Sequence, residues 1–144
     1  MRTEFMGKVE VPAKIESLED LFAARQGQLS PDKVRHLDVP DALVETGASL
    51  LSLPKRFVQQ LGLRFMRTRV ARTATGAATF DVYEAVRLTV QGRDCTIDVA
   101  QIPDECPVVI GVIPLELLDF VVDPVGQRLI GNPAHGGKHM IDMF

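Results

Sequence analysis

One carboxylate in this chain stands where a backbone could aim it. The segment Ala42-Leu43-Val44-Glu45-Thr46-Gly47-Ala48-Ser49 runs an apolar strand straight into Glu45 and three small residues, and a second apolar run, Leu50-Leu51-Ser52-Leu53-Pro54, follows. A carboxylate at a strand end can take a proton as a general base, and a carboxylic acid can give one. A pair sharing a single proton does both, because two neighbouring carboxylates cannot both ionise cheaply. The chain holds one such loop, so the second carboxylate must come from a second copy across a two-fold axis. In that arrangement the Thr46 hydroxyl can lock the two loops together. Gly47 removes a side chain where the backbone must approach the carboxylate, and Ala48 keeps the floor of the site small. Ser49 and Ser52 lie nearby, but no histidine stands beside them in the sequence, which argues against a serine nucleophile.

The surrounding elements must position this loop. Val9, Val11, Ala13 and Ile15 alternate over residues 8–15, the period of a half-buried strand. Ser17 with Asp20 resembles a capping box and opens a short helical turn over residues 17–24. Residues 34–39 and 42–44 read as short strands broken by the turn dipeptide Pro40-Asp41. Leu53, Phe57, Val58 and Leu61 share one helical face, with Pro54 in the first turn and Gly62 past the end. Residues 65–72 are extended. A small, polar turn over residues 73–79, centred on Gly76, makes a hairpin tip that carries Ala74, Thr75, Gly76 and Ala77. Residues 82–90 and 95–102 form a second hairpin, closed by Gln91-Gly92-Arg93-Asp94. Residues 106–111 read as an apolar strand ending in glycine, and residues 114–120 as a short helix. Residues 121–123 and 128–130 flank the turn Pro124-Val125-Gly126, and residues 132–137 read as a loose tail. Many short strands with one or two short helices place the chain in the mostly-β class, as a compact barrel-like sheet structure.

With 144 residues, the chain has room for one domain and little more. Residues 1–5 read as an N-terminal extension or tag remnant, residues 6–133 as the domain, and residues 134–144 as a C-terminal tail. A net charge of −3 disfavours a dedicated nucleic-acid binder. No apolar run approaches the ~20 residues that cross a bilayer, and no signal-type segment opens the chain, so a cytoplasmic protein is expected. Cys95 and Cys106 read as two buried or half-buried thiols rather than a disulfide or zinc site. His135 and His139 have ligand-like spacing but lack acidic or cysteine companions, and His36 stands alone, so no metal and no cofactor is implied. Arg64, Arg67, Arg69 and Arg72 read as a solvated strand face. Arg35 and Arg93 could pair with acidic neighbours and carry no assigned role, and Asp98 and Asp123 are expected to be exposed or turn-capping.

The order and spacing of these pieces resemble the retropepsin-like aspartic proteases, the single-domain family of retroviral proteases and their bacterial relatives. The resemblance rests on the Glu45-Thr46-Gly47-Ala48 loop, the Gly76 hairpin and the strand Val108-Val109-Ile110-Gly111 with the helix after it. It is reinforced around Leu53-Pro54, Leu61-Gly62-Leu63 and Leu115-Glu116-Leu117-Leu118-Asp119, and it covers the chain from Lys8 to about Pro133. It implies an all-β, retropepsin-like closed barrel that assembles as a homodimer. Glu45 then occupies the catalytic aspartate position, with Thr46 and Gly47 as its scaffold. Ala48 and the hairpin residues Ala74, Thr75, Gly76 and Ala77 form the substrate-binding floor and flap. The expected partners are a second copy of the chain and an extended peptide or protein substrate, with no nucleic acid and no membrane. The family carries aspartate where this chain carries Glu45, and two readings follow. One is an aspartic-type endopeptidase with one acidic residue per subunit. The other is a non-catalytic peptide-binding or structural dimer that retains the protease fold.

Overall fold

Strand β1 (Val9–Ser17) opens the part of the chain, residues 8–143, that the computed structural model describes. The expectations for Met1 to Phe5 and for Met6-Gly7 lie outside the described residues. Helix α1 (Leu18–Arg25) follows, and Ser17 caps it by accepting a hydrogen bond from the Asp20 amide at 3.2 Å, as the capping-box pattern predicts. A single 3₁₀ turn, Pro31–Lys33, leads into β2 (His36–Val44). Next come β3 (Leu51–Pro54), α2 (Lys55–Gln60), β4 (Phe65–Thr73), β5 (Gly76–Val90) and β6 (Arg93–Ile102). The chain continues through β7 (Val109–Ile110), α3 (Val112–Leu118), β8 (Phe120–Asp123) and β9 (Arg128–Gly131). None of these helices is long and apolar enough to cross a membrane.

Six strands close on themselves in the order β1-β2-β7-β3-β6-β5, because β5 pairs back onto β1. The ring is the all-β closed barrel that the sequence predicts. β4 lies outside it and pairs with the first half of β5 alone, so the β4–β5 hairpin projects from the barrel. The interior fills from alternate residues: Ile15, Leu51, Leu53, Val86, Leu88, Val99 and Ile110 are all fully buried. Leu61 and Leu118 add apolar cover from the ends of α2 and α3.

Several expectations change, the first being that three short helices, α1, α2 and α3, form where one or two are expected. β2 runs unbroken through Pro40-Asp41, where a turn is expected. Val11 pairs with Ala42 and Ala13 with Val39, so Pro40 and Asp41 together face the single residue Pro12. That is a β-bulge, and it gathers two prolines where the ladder needs no N–H. The second hairpin turns on Gln91 and Gly92 alone, both with positive φ (49° and 79°), and Arg93 already pairs with Val90. The strand expected over residues 106–111 shrinks to Val109–Ile110, because Pro107 has no amide to donate and the Cys106 amide turns back to the Pro103 carbonyl.

Charges enter the covered regions in pairs. Glu16 accepts from Arg87 Nη2 at 2.8 Å and Nε at 2.9 Å. The Asp20 carboxylate accepts from the Arg35 amide, Nε (2.7 Å) and Nη2 (2.9 Å). The Arg35 side chain holds the Asp20 carboxyl below the ordinary carboxylate range against the opposing effect of burial. The Arg35 guanidinium occupies the place a side chain at Gly62 would take, and Gly62, at φ +66°, ends α2 in a left-handed turn. Because the Asp20 carboxyl is depressed on folding, its contribution is present above about pH 3.9 and is lost as pH falls through the lowered value. Asp20→Asn is therefore expected to lower stability by about 1–2 kcal/mol at pH 7, Arg35 being part exposed. Denaturant titrations at pH 7 and pH 3 should show that difference shrinking in acid.

Candidate active site

Glu45 sits on the loop between β2 and β3, and the geometry of that loop follows from the strand inserted beside it. β7 lies between β2 and β3. Val44 pairs with Ile110 in parallel, and Leu51 pairs with the same Ile110 antiparallel. The chain thus leaves one side of β7, rounds a loop over residues 45–50 and returns on the other side. The apolar runs on either side of the loop are the two flanks of this seam, and for that reason they lack the alternation of a half-solvated strand.

The loop's own polar backbone is satisfied from beneath. The Glu45 amide donates to the Ile110 carbonyl at 3.0 Å, and the Ala48 amide to the Glu45 carbonyl at 3.1 Å. Gly111, Val112 and Ile113 then donate in succession to the carbonyls of Leu50 (2.9 Å), Ala48 (2.8 Å) and Ser49 (3.0 Å). The start of α3 is therefore laced to the loop through main-chain bonds alone. Gly111 makes this approach possible: a Cβ there would lie 2.5 Å from the Leu50 carbonyl oxygen and 2.7 Å from that of Ala48. Its φ of −86° is ordinary, so the requirement is for space rather than for backbone freedom.

Glu45, Thr46 and Gly47 are exposed and Ala48 is half-buried. Glu45 Oε1 accepts from the Gly47 amide at 3.1 Å, which orients the carboxylate over its own turn. A Cβ on Gly47 would stand 3.3 Å from that oxygen, so glycine gives the carboxylate the room the sequence assigns it. No cationic side chain lies within 4 Å of Glu45 among the described residues. The three histidines are engaged elsewhere: His36 with the Val34 carbonyl and Asp38, His135 with Asp119, and His139 with the Leu117 carbonyl. Among the described residues no three His, Cys, Asp or Glu side chains gather as a metal site. Burial and Asp94 push the Cys95 thiol up to about 11, so it is not a thiolate nucleophile.

Ala74, Thr75, Gly76 and Ala77 form the exposed tip of the projecting hairpin. Thr73 pairs with Gly76 across a two-residue turn, Thr73 Oγ1 donates to the Gly76 carbonyl at 2.9 Å, and Gly76 adopts φ +134°. Among the described residues no hydrogen bond joins this tip to the Glu45 loop. The structure thus brings Glu45, Thr46, Gly47 and Ala48 together and sets the hairpin residues apart on their own ribbon. Asp98 lies 4.0 Å from Arg67, and Asp123 accepts from the Val125 amide as a turn cap, so neither joins the loop. Gly111 is the supporting residue the candidate set lacks. Its signal is the glycine that ends Val108-Val109-Ile110. Gly111→Ala is expected to destabilise the fold by about 2–4 kcal/mol, since rigid backbone must move to admit the methyl. Thermal unfolding checks this, with Gly76→Ala, at φ +134° in open space, as a comparison that introduces backbone strain without a clash.

A family model described as "Aspartyl protease" matches residues 33–115, a span that holds β2, the Glu45 loop, the projecting hairpin, β7 and Gly111. No curated protein matches the chain. The match takes in more than half of the sequence and the whole seam described above, and the closed β ring agrees with the retropepsin-like fold: this chain belongs to the aspartyl protease family.

Proposed function

We propose that the chain is an aspartic-type endopeptidase that works as a homodimer, with Glu45 of each subunit forming the acidic pair. The observation that carries the reading is the exposed Glu45 carboxylate, oriented by Gly47 on a loop whose backbone is fixed by β7 and α3. Across a two-fold axis, one carboxylate takes a proton from a bound water while the other, protonated, gives its proton to the peptide carbonyl oxygen. The resulting tetrahedral adduct collapses as the first group, now a carboxylic acid, gives its proton to the amide nitrogen and the second, now a carboxylate, takes a hydroxyl proton back, so that the amine leaves and the singly protonated pair is restored. Thr46 joins the two loops, and the Ala74, Thr75, Gly76 and Ala77 tip closes as a flap over an extended peptide. Backbone pairing holds such a peptide in the manner of an added strand.

A second reading, a dimer that binds peptide without cutting it, is favoured by one feature of the same loop. Glutamate reaches about 1.5 Å farther than aspartate, and a displacement of about 1 Å can lower a rate on the order of a hundredfold. Two such arms meeting at one axis crowd the water they must hold.

Both readings require two copies. Sedimentation at micromolar concentration is expected to give about twice 15.8 kDa. A folded monomer at all concentrations would exclude both. Cleavage of a denatured protein between about pH 4 and pH 7 by the parent, Glu45→Asp and Glu45→Gln separates them. We expect Glu45→Asp to raise the rate by about tenfold or more and Glu45→Gln to abolish it. Cleavage by the Asp form alone marks the parent as a binding dimer on a protease frame. Failure of all three across a broad peptide set removes the peptidase.

A further inference from the structure

The C-terminal segment, expected as a loose tail, is bound to the barrel around one buried carboxylate. Asp119 follows the last residue of α3, is 6% exposed and adopts a left-handed conformation, φ 59° and ψ 43°. Its carboxylate accepts from Asn132 Nδ2 at 3.2 Å, His135 Nδ1 at 2.7 Å and the Met140 amide at 3.0 Å. Its main chain is held as well, since the Asn132 amide donates to the Asp119 carbonyl at 3.0 Å. Arg93, from β6, donates through Nη1 to the carbonyls of Leu118 and Asp119 and through Nη2 to that of Gly137, and its guanidinium lies over the Phe120 ring.

The path of the segment is built into β9. Gly131 has no side chain because the Gly137 carbonyl and Arg93 Nη2 occupy the place of its Cβ. Gly136 and Gly137 take positive φ, 66° and 77°, to bend the chain back over it. His139 reaches the Leu117 carbonyl at 3.0 Å, so the segment also touches the last turn of α3.

We propose that Asp119 and His135 form a protonation-sensitive latch that docks residues 132–142 and, through α3, steadies the Glu45 loop. The two are positioning residues, since α3 spans only Val112–Leu118 and its first amides hold the loop carbonyls of Ala48 and Ser49. The last link alone rests on the proposed role of Glu45. The charged groups facing the pair are Asp142, 3.5 Å from His135 Nε2, and Arg93, with His139 farther along the same segment.

The sign of the dependence follows from the pair. His135 is raised above its ordinary value, chiefly by its hydrogen bond to Asp119, so its contribution is full below about pH 6.5 and is lost as pH rises through the raised value. Asp119 is lowered, chiefly by the bond from His135, so its contribution is full above about pH 3.9 and is lost as pH falls through the lowered value. The latch is strongest between those limits, the mildly acidic range in which a carboxyl pair holds a single proton.

Nuclear magnetic resonance of the full chain tests this without any hydrolysis assay. The His135 ring protons should titrate above about pH 6.5, and their midpoint should fall toward that value in Asp119→Asn, which keeps a residue tolerant of positive φ and leaves Asp142 in place. Protection of the Met140 amide from hydrogen exchange should fall about tenfold between pH 6 and pH 9 in the parent. It should be low and independent of pH in His135→Gln. Gly131→Val, which alters no titrating group, should displace Gly137 and lower both the Met140 protection and the His135 midpoint. The Val112 and Ile113 amide shifts should follow the His135 midpoint in the parent and not in His135→Gln. A His135 midpoint at or below about 6.5 with an unprotected Met140 amide overturns the latch. Unmoved Val112 and Ile113 amides overturn its link to the loop. Failure of the parent, Glu45→Asp and Glu45→Gln alike to cleave would end the peptidase proposal and leave these results standing.

Discussion

A strand of two residues sets the terms for the rest of this molecule. Val109 and Ile110 pair with β2 on one side and β3 on the other, in opposite directions, and without them the ring has a gap where its site loop begins. Buried backbone groups must find partners, and here the amides of Leu43, Glu45, Gly111, Val112 and Ile113 donate in turn to the carbonyls of Val108, Ile110, Leu50, Ala48 and Ser49. The series fixes the spacing between the loop and α3 so closely that residue 111 has no room for a methyl group. Neither the side chain of Glu45 nor that of Thr46 takes part in it.

Charge is distributed on a different principle. Glu16, Asp20 and Asp119 are buried, and each has a basic partner: Arg87, Arg35 and His135. A buried carboxylate without such a partner would be strongly disfavoured, so these pairs lie at seams where elements meet. Asp20 ties α1 to the approach of β2, and Asp119 ties α3 to the last segment of the chain. Glu45 is arranged the other way: it is exposed and, among the described residues, its carboxylate accepts from its own turn's amide and meets no cation. A carboxylate left without a cation remains available to a second carboxylate, a water or a peptide, whereas a salt-bridged one is already committed.

Much of this was legible in the sequence because it is local. Period-two burial marked Val9, Val11, Ala13 and Ile15; the Ser17 cap, the Gly62 stop and the glycine-tipped hairpin all act over a few residues. The errors arose where the deciding partner is distant. Pro40-Asp41 carries the chemistry of a turn, and only the pairing of Val11 with Ala42 and of Ala13 with Val39 turns it into a bulge. The segment 132–137 has the glycine content of a loose tail. Its order comes from Asp119 and Arg93, 13 residues or more away. The importance of Gly111 was half visible, as a glycine closing an apolar run, but its closeness to Leu50 and Ala48 is a property of the threaded sheet. The site residues are readable as a loop and a hairpin, and among the described residues no hydrogen bond joins the two.

The contrast between backbone and side chain bears on how a glutamate can occupy position 45 at all. If the loop depended on that side chain, one extra methylene would strain the seam. It does not: the donors and acceptors that hold residues 45–50 are main-chain groups, and the carboxylate's own bond is to the amide two residues on. The glutamate side chain curls over its own turn to make that bond, and the main-chain bonds of the loop set no requirement on which acid stands there. The proposed dyad has no such latitude, because a shared proton and a bound water would require the two carboxyl groups at a fixed separation. The fold therefore places little selection on the length of this side chain, and the chemistry places nearly all of it. Position 45 is where the ancestry of the fold and the activity of the molecule can part without leaving a mark on the structure around it.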